Sequence, residues 1–317
     1  MQLHRIIFIF TICFFILPGF SIGDIMGADA HDGLLYEAAE LYQGGNFNES
    51  LEIVNQYLSY NSENASALNI RGLIQMNAGA HENAKLDFQN ALKYSDNQSS
   101  LYYNLGLNSF YQGNIVEADE FFTNARSGNL SSFDLLFYSG LVKYALGSYD
   151  ESIDLLQDAS VENPNDSATW FNLGMTYEQI KKFDLAVNAY DQAISIEPGY
   201  EKPWFFKGRI FQSFGNKSSA RMAFENYTSL APEDDLGWFF YAKSLHDEDK
   251  NNESVLALRK ALEINPSKQL YSEFLKAYEP GNISTTEEFL FWRPSDNITL
   301  ILLLLIFIMG VCAVARR

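Results

Sequence analysis

A tryptophan returns every 34 residues in the second half of the chain, at Trp170, Trp204 and Trp238. Proline keeps the same period at Pro164, Pro198, Pro232 and Pro266. Extended backwards, this register divides residues 31–268 into seven repeats: 31–64, 65–98, 99–132, 133–166, 167–200, 201–234 and 235–268. A fixed period of this length is typical of stacked supersecondary units that bury their apolar faces against one another.

Two positions of the repeat carry a small side chain in all seven copies. Position 8 is glycine or alanine, and position 20 is alanine or serine. Small residues are required where two helix backbones approach closely. Position 24 is always apolar, from Val54 to Leu258, and is expected in the core. Position 15 is glycine in five repeats and can take the left-handed conformation that ends a helix. The pattern predicts two crossing helices in each repeat.

The repeat strongly resembles the tetratricopeptide repeat (TPR). In residues 167–200 the residues that follow the family pattern are Trp170, Gly174, Tyr177, Ala186, Tyr190, Ala193 and Pro198. Ankyrin repeats fit less well, because their period is about 33 residues and their Thr-Pro-Leu-His motif is missing. The resemblance implies an all-α, right-handed α-solenoid of seven TPR helix pairs over 31–268. It also implies a C-terminal capping helix over 269–279, for which Ser267 is the predicted N-cap.

The two ends of the chain are apolar. Residues 1–23 combine Arg5, an apolar run from Ile6 to Leu17 and a small-residue cleavage site, which predicts a secretory signal peptide. An uncleaved N-terminal anchor is the alternative. Residues 298–315 carry no charge and predict a transmembrane helix of roughly 27 Å, preceded by a tether over 280–297. A sorting signal that is cut off and replaced by another anchor is the alternative.

Charge orients the predicted membrane protein. The basic end at 316–317 favours a cytoplasmic C-terminus, so the protein is predicted in the cell membrane, single-pass, with its repeats on the extracytoplasmic side. Residues 24–296 hold all 40 acidic and 19 basic residues, a net charge of −21, which argues against nucleic-acid binding. The charge is uneven, at −14 over 31–166 and −2 over 167–278. The only cysteines, Cys13 and Cys312, lie in the apolar ends, so no disulfide is expected in the repeats.

Residues that carry out catalysis or bind metals do not form a recognisable pattern. The histidines His31, His81 and His246 fall in different repeats and lack metal-ligand or triad spacing. No phosphate-binding loop, dinucleotide fingerprint or nucleophile elbow is present. The acidic run 232–235 suits a turn before a helix start, with calcium binding as a weak alternative. We therefore predict no enzyme activity, no cofactor and no metal.

The resemblance implies that the first helix of each pair lines a concave groove through positions 2, 5, 9, 12 and 13. Position 5 is aromatic in five consecutive repeats, positions 9 and 12 add apolar residues, and the lining turns basic near the C-terminal end. The predicted partner groove comprises Tyr103, Phe137, Phe171, Phe205, Phe239, Leu107, Leu141, Met175, Phe110, Tyr144, Lys202, Arg209 and Lys243. The alternative is that the aromatic rings fill the space between first helices. The Lys and Asn pattern by which some TPR domains clamp a peptide carboxylate is absent.

Ten Asn-x-Ser/Thr sequons occur in the chain, more than random placement would give. Nine are predicted to be glycosylated: Asn48, Asn64, Asn97, Asn129, Asn165, Asn216, Asn226, Asn252 and Asn282. The tenth, Asn297, abuts the predicted span and is expected to stay unmodified. No sequon falls on positions 1–14 of a repeat. Glycans would therefore leave the groove bare, although turns rich in Asn and Ser give part of the same pattern.

These observations favour a membrane-tethered TPR scaffold that binds a protein or peptide partner in its aromatic groove. The partner cannot be identified from the sequence. Two alternatives remain: an accessory subunit that orients a membrane enzyme, and a glycosylated spacer in the cell envelope.

Overall fold

The computed structural model describes residues 32–128 and 130–279. Within these ranges the regular structure is entirely helical, and the fifteen helices form two compact units that meet in sequence between Pro164 and Asn165. The N-terminal unit contains α1 Asp32–Gln43, α2 Phe47–Tyr60, α3 Ala65–Asn77, α4 His81–Tyr94, α5 Ser99–Gln112, α6 Ile115–Ser127, α7 Phe133–Leu146 and α8 Tyr149–Glu162. The C-terminal unit contains α9 Ser167–Gln179, α10 Phe183–Ile196, α11 Glu201–Ser213, α12 Lys217–Leu230, α13 Asp235–Asp247, α14 Asn251–Ile264 and α15 Gln269–Tyr278.

Each predicted repeat supplies one helix pair, and in each unit the second helix of a pair also packs on the first helix of the next pair. This confirms the all-α solenoid prediction. The crossing within a pair is set by positions 8 and 24. A Cβ atom added to Gly174 would lie 2.4 Å from the ring of Tyr190, and one added to Gly106 would lie 2.5 Å from Phe122. Glycine is needed because a fully buried side chain occupies the space that a Cβ would take.

Serine at position 20 has a partner in the helix that it crosses. The hydroxyl groups of Ser50, Ser152 and Ser254 donate to the carbonyl oxygens of the position-8 residues of their own repeats, at 2.7, 2.8 and 2.7 Å. All three serines are fully buried. The small side chain therefore permits the close approach, and its hydroxyl is satisfied by a carbonyl that the approach brings within reach.

The first helices of the repeats end through a left-handed residue. Five glycines at position 15 have φ between 71° and 81°, as the sequence predicted. Repeats 167–200 and 235–268 lack this glycine and place Lys181 and Asp249 there, with φ of 59° and 62°. The helix ending is thus a property of the repeat geometry, because two non-glycine residues adopt it against their own preference.

The capping helix α15 starts at the predicted Gln269 and ends at Tyr278, one residue before the predicted end. Its N-cap is Lys268, so the prediction of Ser267 as N-cap is wrong: the Ser267 hydroxyl donates to Asn265 Oδ1 at 3.0 Å. Tyr271 anchors α15, since its ring is fully buried and its hydroxyl donates to Asp235 Oδ2 at 2.7 Å. The ring of Phe239 stacks on Tyr271 at 4.9 Å. The helix therefore covers the apolar side of α13 that would otherwise face solvent.

Several predictions fall on residues outside the described ranges. These are the signal peptide 1–23, the tether 280–297, the transmembrane helix 298–315 and the basic end 316–317. Among the helices between Asp32 and Tyr278, none combines the length and apolar character that a membrane crossing requires.

Candidate partner-binding faces

We call the residues at positions 2, 5, 9, 12 and 13 of the repeats in one unit the first-helix face of that unit. The N-terminal unit presents it on α1, α3, α5 and α7, and the C-terminal unit on α9, α11 and α13. The predicted groove residues all lie on these helices. The structure adds which of their atoms a partner could reach.

The aromatic rings at position 5 are buried, which corrects the expectation that they line an accessible strip. Tyr103, Phe137, Phe171, Phe205 and Phe239 are between 1% and 8% exposed. The ring of Phe171 lies 5.8 Å from Tyr190 of its own second helix and 5.5 Å from Phe206 of the next first helix. Phe205 repeats this arrangement with Phe224 and Phe240. These rings fill the space between helices, which is the alternative that the sequence left open.

In the N-terminal unit, most of the other predicted groove residues are also buried. Leu107, Leu141 and Phe110 are buried, whereas Tyr144 is partly exposed. The sequence did not single out Tyr111, whose ring is 38% exposed and whose hydroxyl lies 3.2 Å from that of Tyr138. Tyr111 is therefore more accessible to a partner than Tyr103, Phe110, Phe137 or Tyr144 on the same face.

The first helices of the N-terminal unit also carry buried polar groups. Asn104 Nδ2 donates to Asn69 Oδ1 at 2.8 Å, and both side chains are buried. The Tyr103 hydroxyl is buried without a hydrogen-bond partner among the described residues. Burial, followed by the charge of Asp134, raises the pKa of Tyr103 far above its ordinary value. Asn69 at position 5 and Asn104 at position 6 of the next repeat were the sequence signal for this hydrogen bond. The groove prediction did not use that signal.

The basic residues of the N-terminal unit are largely neutralised. Arg71 binds Asp87 through two nitrogen–oxygen contacts of 2.7 Å. Lys85 Nζ lies 2.6 Å from Glu117, and Lys143 bridges Asp119 and Glu151 at 3.1 and 2.8 Å. Burial opposes ionisation of Glu117, but the hydrogen bonds from Lys85 and Ser109 outweigh it and lower the Glu117 pKa. With most of its few cations paired, this unit has little positive charge to offer an anionic partner.

The C-terminal unit has a different first-helix face. Met175 on α9 and the predicted cations Lys202 and Arg209 on α11 are partly exposed. The Arg209 guanidinium lies 5.4 Å from the centre of the Phe206 ring and 3.7 Å from Glu178. Burial lowers the pKa of Lys202, against an opposing effect of Glu201. The cation Arg209 of this face is therefore a direct neighbour of an aromatic ring on α11.

Lys243 on α13 is the most isolated of these cations. Its Nζ lies 5.9 Å from the centre of the Phe240 ring, and no carboxylate oxygen of the described residues lies within ion-pair distance of it. Asp247, one turn further on, instead accepts from Gln212 Nε2 at 3.4 Å. Burial lowers the pKa of Lys243, although the charge of Asp247 acts in the opposite direction. This ammonium group has lost much of its hydration without gaining a counterion.

The described sequon asparagines lie at turns and on second helices. Asn48, Asn97, Asn165, Asn216, Asn226 and Asn252 are exposed. Asn64 is partly buried and serves as the N-cap of α3, where its Oδ1 accepts from Ala67 N at 2.9 Å and its Nδ2 donates to Tyr57. A glycan on Asn64 would disturb this cap. Asn129 and Asn282 lie outside the described residues.

The two histidines that the structure describes serve packing and local hydrogen bonding. His81 Nδ1 lies 3.0 Å from Asn108 Oδ1, and the His246 ring stacks 3.7 Å from that of Tyr278. No group of three or more potential metal ligands occurs within the ranges that the structure covers.

Comparisons with known proteins agree with the repeat architecture. Models of the tetratricopeptide repeat match residues 37–100, 167–200 and 237–268. The search of curated proteins found no match to this chain. Among solved structures, the C-terminal part of a TPR repeat-containing protein from Cytophaga hutchinsonii has a TM-score of 0.64 at 15% identity, covering 76% of this chain and 99% of that one. PilF from Pseudomonas aeruginosa has a TM-score of 0.56 at 18% identity, covering 68% and 97%.

A tetratricopeptide repeat protein from Parabacteroides merdae gives a TM-score of 0.54 at 15% identity, over 78% of this chain and 98% of that one. At these identities the likeness concerns the fold. The family models and the fold agree with the 34-residue register and with its helix pairs. Tetratricopeptide repeats therefore occur in this chain at residues 37–100, 167–200 and 237–268.

Proposed function

We propose that this TPR scaffold binds a protein or peptide partner on its first-helix faces while tethered to a membrane, and that it catalyses no reaction. TPR proteins bind protein or peptide partners, and this chain carries sequons outside its first helices. The observation that carries the proposal is the lining of the C-terminal unit, where Arg209 and Lys243 lie beside the rings of Phe206 and Phe240. Cations next to aromatic rings are common in binding sites for proteins.

The buried rings at position 5 have a supporting role in this proposal. They hold consecutive first helices at a fixed spacing, so that the partly exposed residues between them keep a defined arrangement. Contact with the partner comes from Tyr111 and Tyr144 in the N-terminal unit. In the C-terminal unit it comes from Met175, Lys202, Arg209 and Lys243. A rigid face reduces the entropy that a partner's binding would otherwise cost.

Photo-crosslinking in intact cells tests the binding face. A photoreactive amino acid replaces Met175 on α9, and the matched control replaces Leu185, which is 44% exposed on α10 of the same repeat. We expect a discrete adduct from position 175 and none from position 185. Equal adducts from both positions, or no adduct from position 175, would contradict the proposal. If neither position gives an adduct, the envelope spacer is favoured. Identification of a membrane enzyme as the adduct would favour the accessory-subunit alternative.

The membrane part of the proposal is supported by the sequence: the signal-like residues 1–23, the uncharged stretch 298–315 and the basic end 316–317. Protease added to intact cells should degrade the repeats and leave a short C-terminal fragment in the membrane fraction. Glycopeptide mapping should find sugar on several exposed sequons, such as Asn165 and Asn252. Full protection of the repeats from protease would reverse the proposed topology.

A further inference from the structure

We propose that the first-helix face of the C-terminal unit recognises an internal acidic side chain of its partner, and that Lys243 supplies the counterion. The proposal rests on the function proposed above and names the chemistry of the partner. It is carried by the position of one ammonium group among the charged residues of α9, α11 and α13.

The other first-helix cations of this unit have internal interactions. Arg209 has Glu178 within 3.7 Å, and Lys207 on the same helix binds Asp191. Among the described residues no carboxylate lies within ion-pair distance of Lys243, and Oδ2 of Asp247, one turn further on, accepts from Gln212 Nε2 at 3.4 Å. A cation that is partly removed from water and left without a counterion destabilises the folded protein. Its retention on this face is explained if a partner's anion completes the pair.

The surroundings of Lys243 favour a carboxylate that is flanked by apolar groups. The Phe240 ring lies beside the ammonium group at 5.9 Å, and Arg209 holds the same position 9 on the preceding first helix. A carboxylate near Lys243 would meet two cationic helices in succession, and apolar neighbours in the partner could contact the partly exposed ring of Phe206. The N-terminal unit offers the opposite environment, since most of its few cations are paired with its own carboxylates.

A peptide selection with the full chain in detergent micelles tests this inference. One pool of short peptides has glutamate at the centre, flanked by mixed apolar and aromatic residues, with acetylated and amidated ends. A second pool differs only by glutamine at the centre. A third has the glutamine and a free C-terminal carboxylate. Mass spectrometry counts the retained peptides. We expect the glutamate pool to be enriched over the glutamine pool by about tenfold or more.

Two variants test whether the Lys243 ammonium group causes the enrichment of the glutamate pool. Lys243→Met keeps most of the apolar stem and should abolish the enrichment without lowering the melting temperature, because it removes a poorly hydrated charge. Lys217→Met is the matched control, since Lys217 is an exposed lysine of α12 in the same unit, and it should leave the enrichment intact. Enrichment that survives Lys243→Met would overturn the assignment, and a melting temperature that falls would show Lys243 to be structural.

Three further results of the peptide selection would count against the proposed internal acidic side chain. Enrichment of the third pool alone would mean that the face reads a chain terminus, and would overturn the proposed internal side chain. The double variant Glu287→Gln, Glu288→Gln removes the nearest acidic pair that follows the described residues in this chain. If peptides bind only to that variant, the occupant is the chain's own segment and the proposal is wrong. If no pool is enriched while the adduct from position 175 persists, the inference fails and the proposed function stands.

Discussion

The hydroxyl of Ser254 donates a 2.7 Å hydrogen bond to the carbonyl oxygen of Ala242, twelve residues earlier in the chain. Ser50 and Ser152 make the same bond to Ala38 and Gly140. The bond joins the two columns of small residues that define the repeat, at positions 20 and 8. It shows that a polar residue is tolerated at a fully buried helix crossing because the crossing itself supplies the acceptor.

Removing this hydrogen bond should weaken the repeat modestly. Ser254→Ala keeps the small volume and loses the bond, so the free energy of unfolding should fall by about 0.5–1.5 kcal/mol. Ser254→Val adds volume at the same crossing and should cost about 1–3 kcal/mol. Urea unfolding monitored by circular dichroism measures both. The control is Ser229→Ala, an exposed serine whose bond stays within its own helix, and it should change little. A Val variant as stable as the Ala variant would contradict the close approach.

Gly174 should be the least replaceable residue of its repeat. A Cβ atom there would lie 2.4 Å from the buried ring of Tyr190, so Gly174→Leu must force the two helices apart. We expect the free energy of unfolding to fall by about 1–3 kcal/mol or more. The matched control is Gly199→Leu in the same repeat, where a Cβ meets nothing within 4 Å. An unchanged melting temperature for Gly174→Leu would show that positions 8 and 24 do not meet.

Lys181→Gly should stabilise the protein. Lys181 holds the left-handed conformation that five other repeats assign to glycine, with φ of 59°. This conformation is unfavourable for a residue with a Cβ, and the gain outweighs the entropy lost by glycine, so we expect about 0.5–1 kcal/mol of stabilisation. Lys182→Gly is the control, because Lys182 has φ of −85° and gains nothing from glycine. The melting temperatures of the two variants should shift in opposite directions or by clearly different amounts. Equal shifts would show that the left-handed conformation of Lys181 does not cost stability.

The Arg71–Asp87 pair should be needed by the N-terminal unit. Asp87 is buried and accepts two 2.7 Å contacts from Arg71, so Arg71→Met leaves its carboxylate without a counterion. We expect a loss of about 2–3 kcal/mol in the free energy of unfolding. The double variant Arg71→Met, Asp87→Leu should recover most of it, because no charge remains buried. Lys260→Met, which breaks an exposed pair with Glu263, should leave stability unchanged. A double variant no better than the single one would argue against this reason.

Alkaline pH should unfold the protein. Burial raises the pKa of Tyr42 to about 12, and burial aided by nearby carboxylates raises the pKa values of Tyr227 and Tyr271 still further above the ordinary 10.0. As pH rises past 10.0, the unfolded chain releases protons that the folded chain retains, so stability present below that pH is progressively lost. The lowered pKa of Lys202 and of Lys243 acts in the opposite direction but involves fewer groups.

The ultraviolet absorbance of tyrosinate, recorded together with circular dichroism, measures this loss. The buried tyrosines should ionise only as the helices melt, so the two signals should change together. Ionisation of all tyrosines near their ordinary pKa, with the helices intact, would contradict the burial of Tyr42, Tyr227 and Tyr271.

The candidate site could be predicted from the sequence only in part. The period placed Tyr103, Phe171 and Phe205 on first helices, and the structure agrees. It could not show that their rings are buried, because the atoms that cover them come from other repeats, such as Phe206 over Phe171 and Phe240 over Phe205. The same holds for Lys243: its basic character is visible in the sequence, whereas the lack of a carboxylate within ion-pair distance among the described residues depends on the tertiary structure.

The sequence by itself determined the repeat: its 34-residue register, its two helices, the small residues at their crossing and the glycine that ends the first helix. These features are readable because each depends on contacts inside one repeat and recurs in every copy. The tertiary structure decided which first-helix side chains are reachable and that Lys181 and Asp249 take the left-handed place of glycine. It also decided that Lys243 has no carboxylate within ion-pair distance among the described residues. Burial, backbone conformation and ion pairing depend on neighbouring helices, and the spacing of residues along one chain does not contain that information.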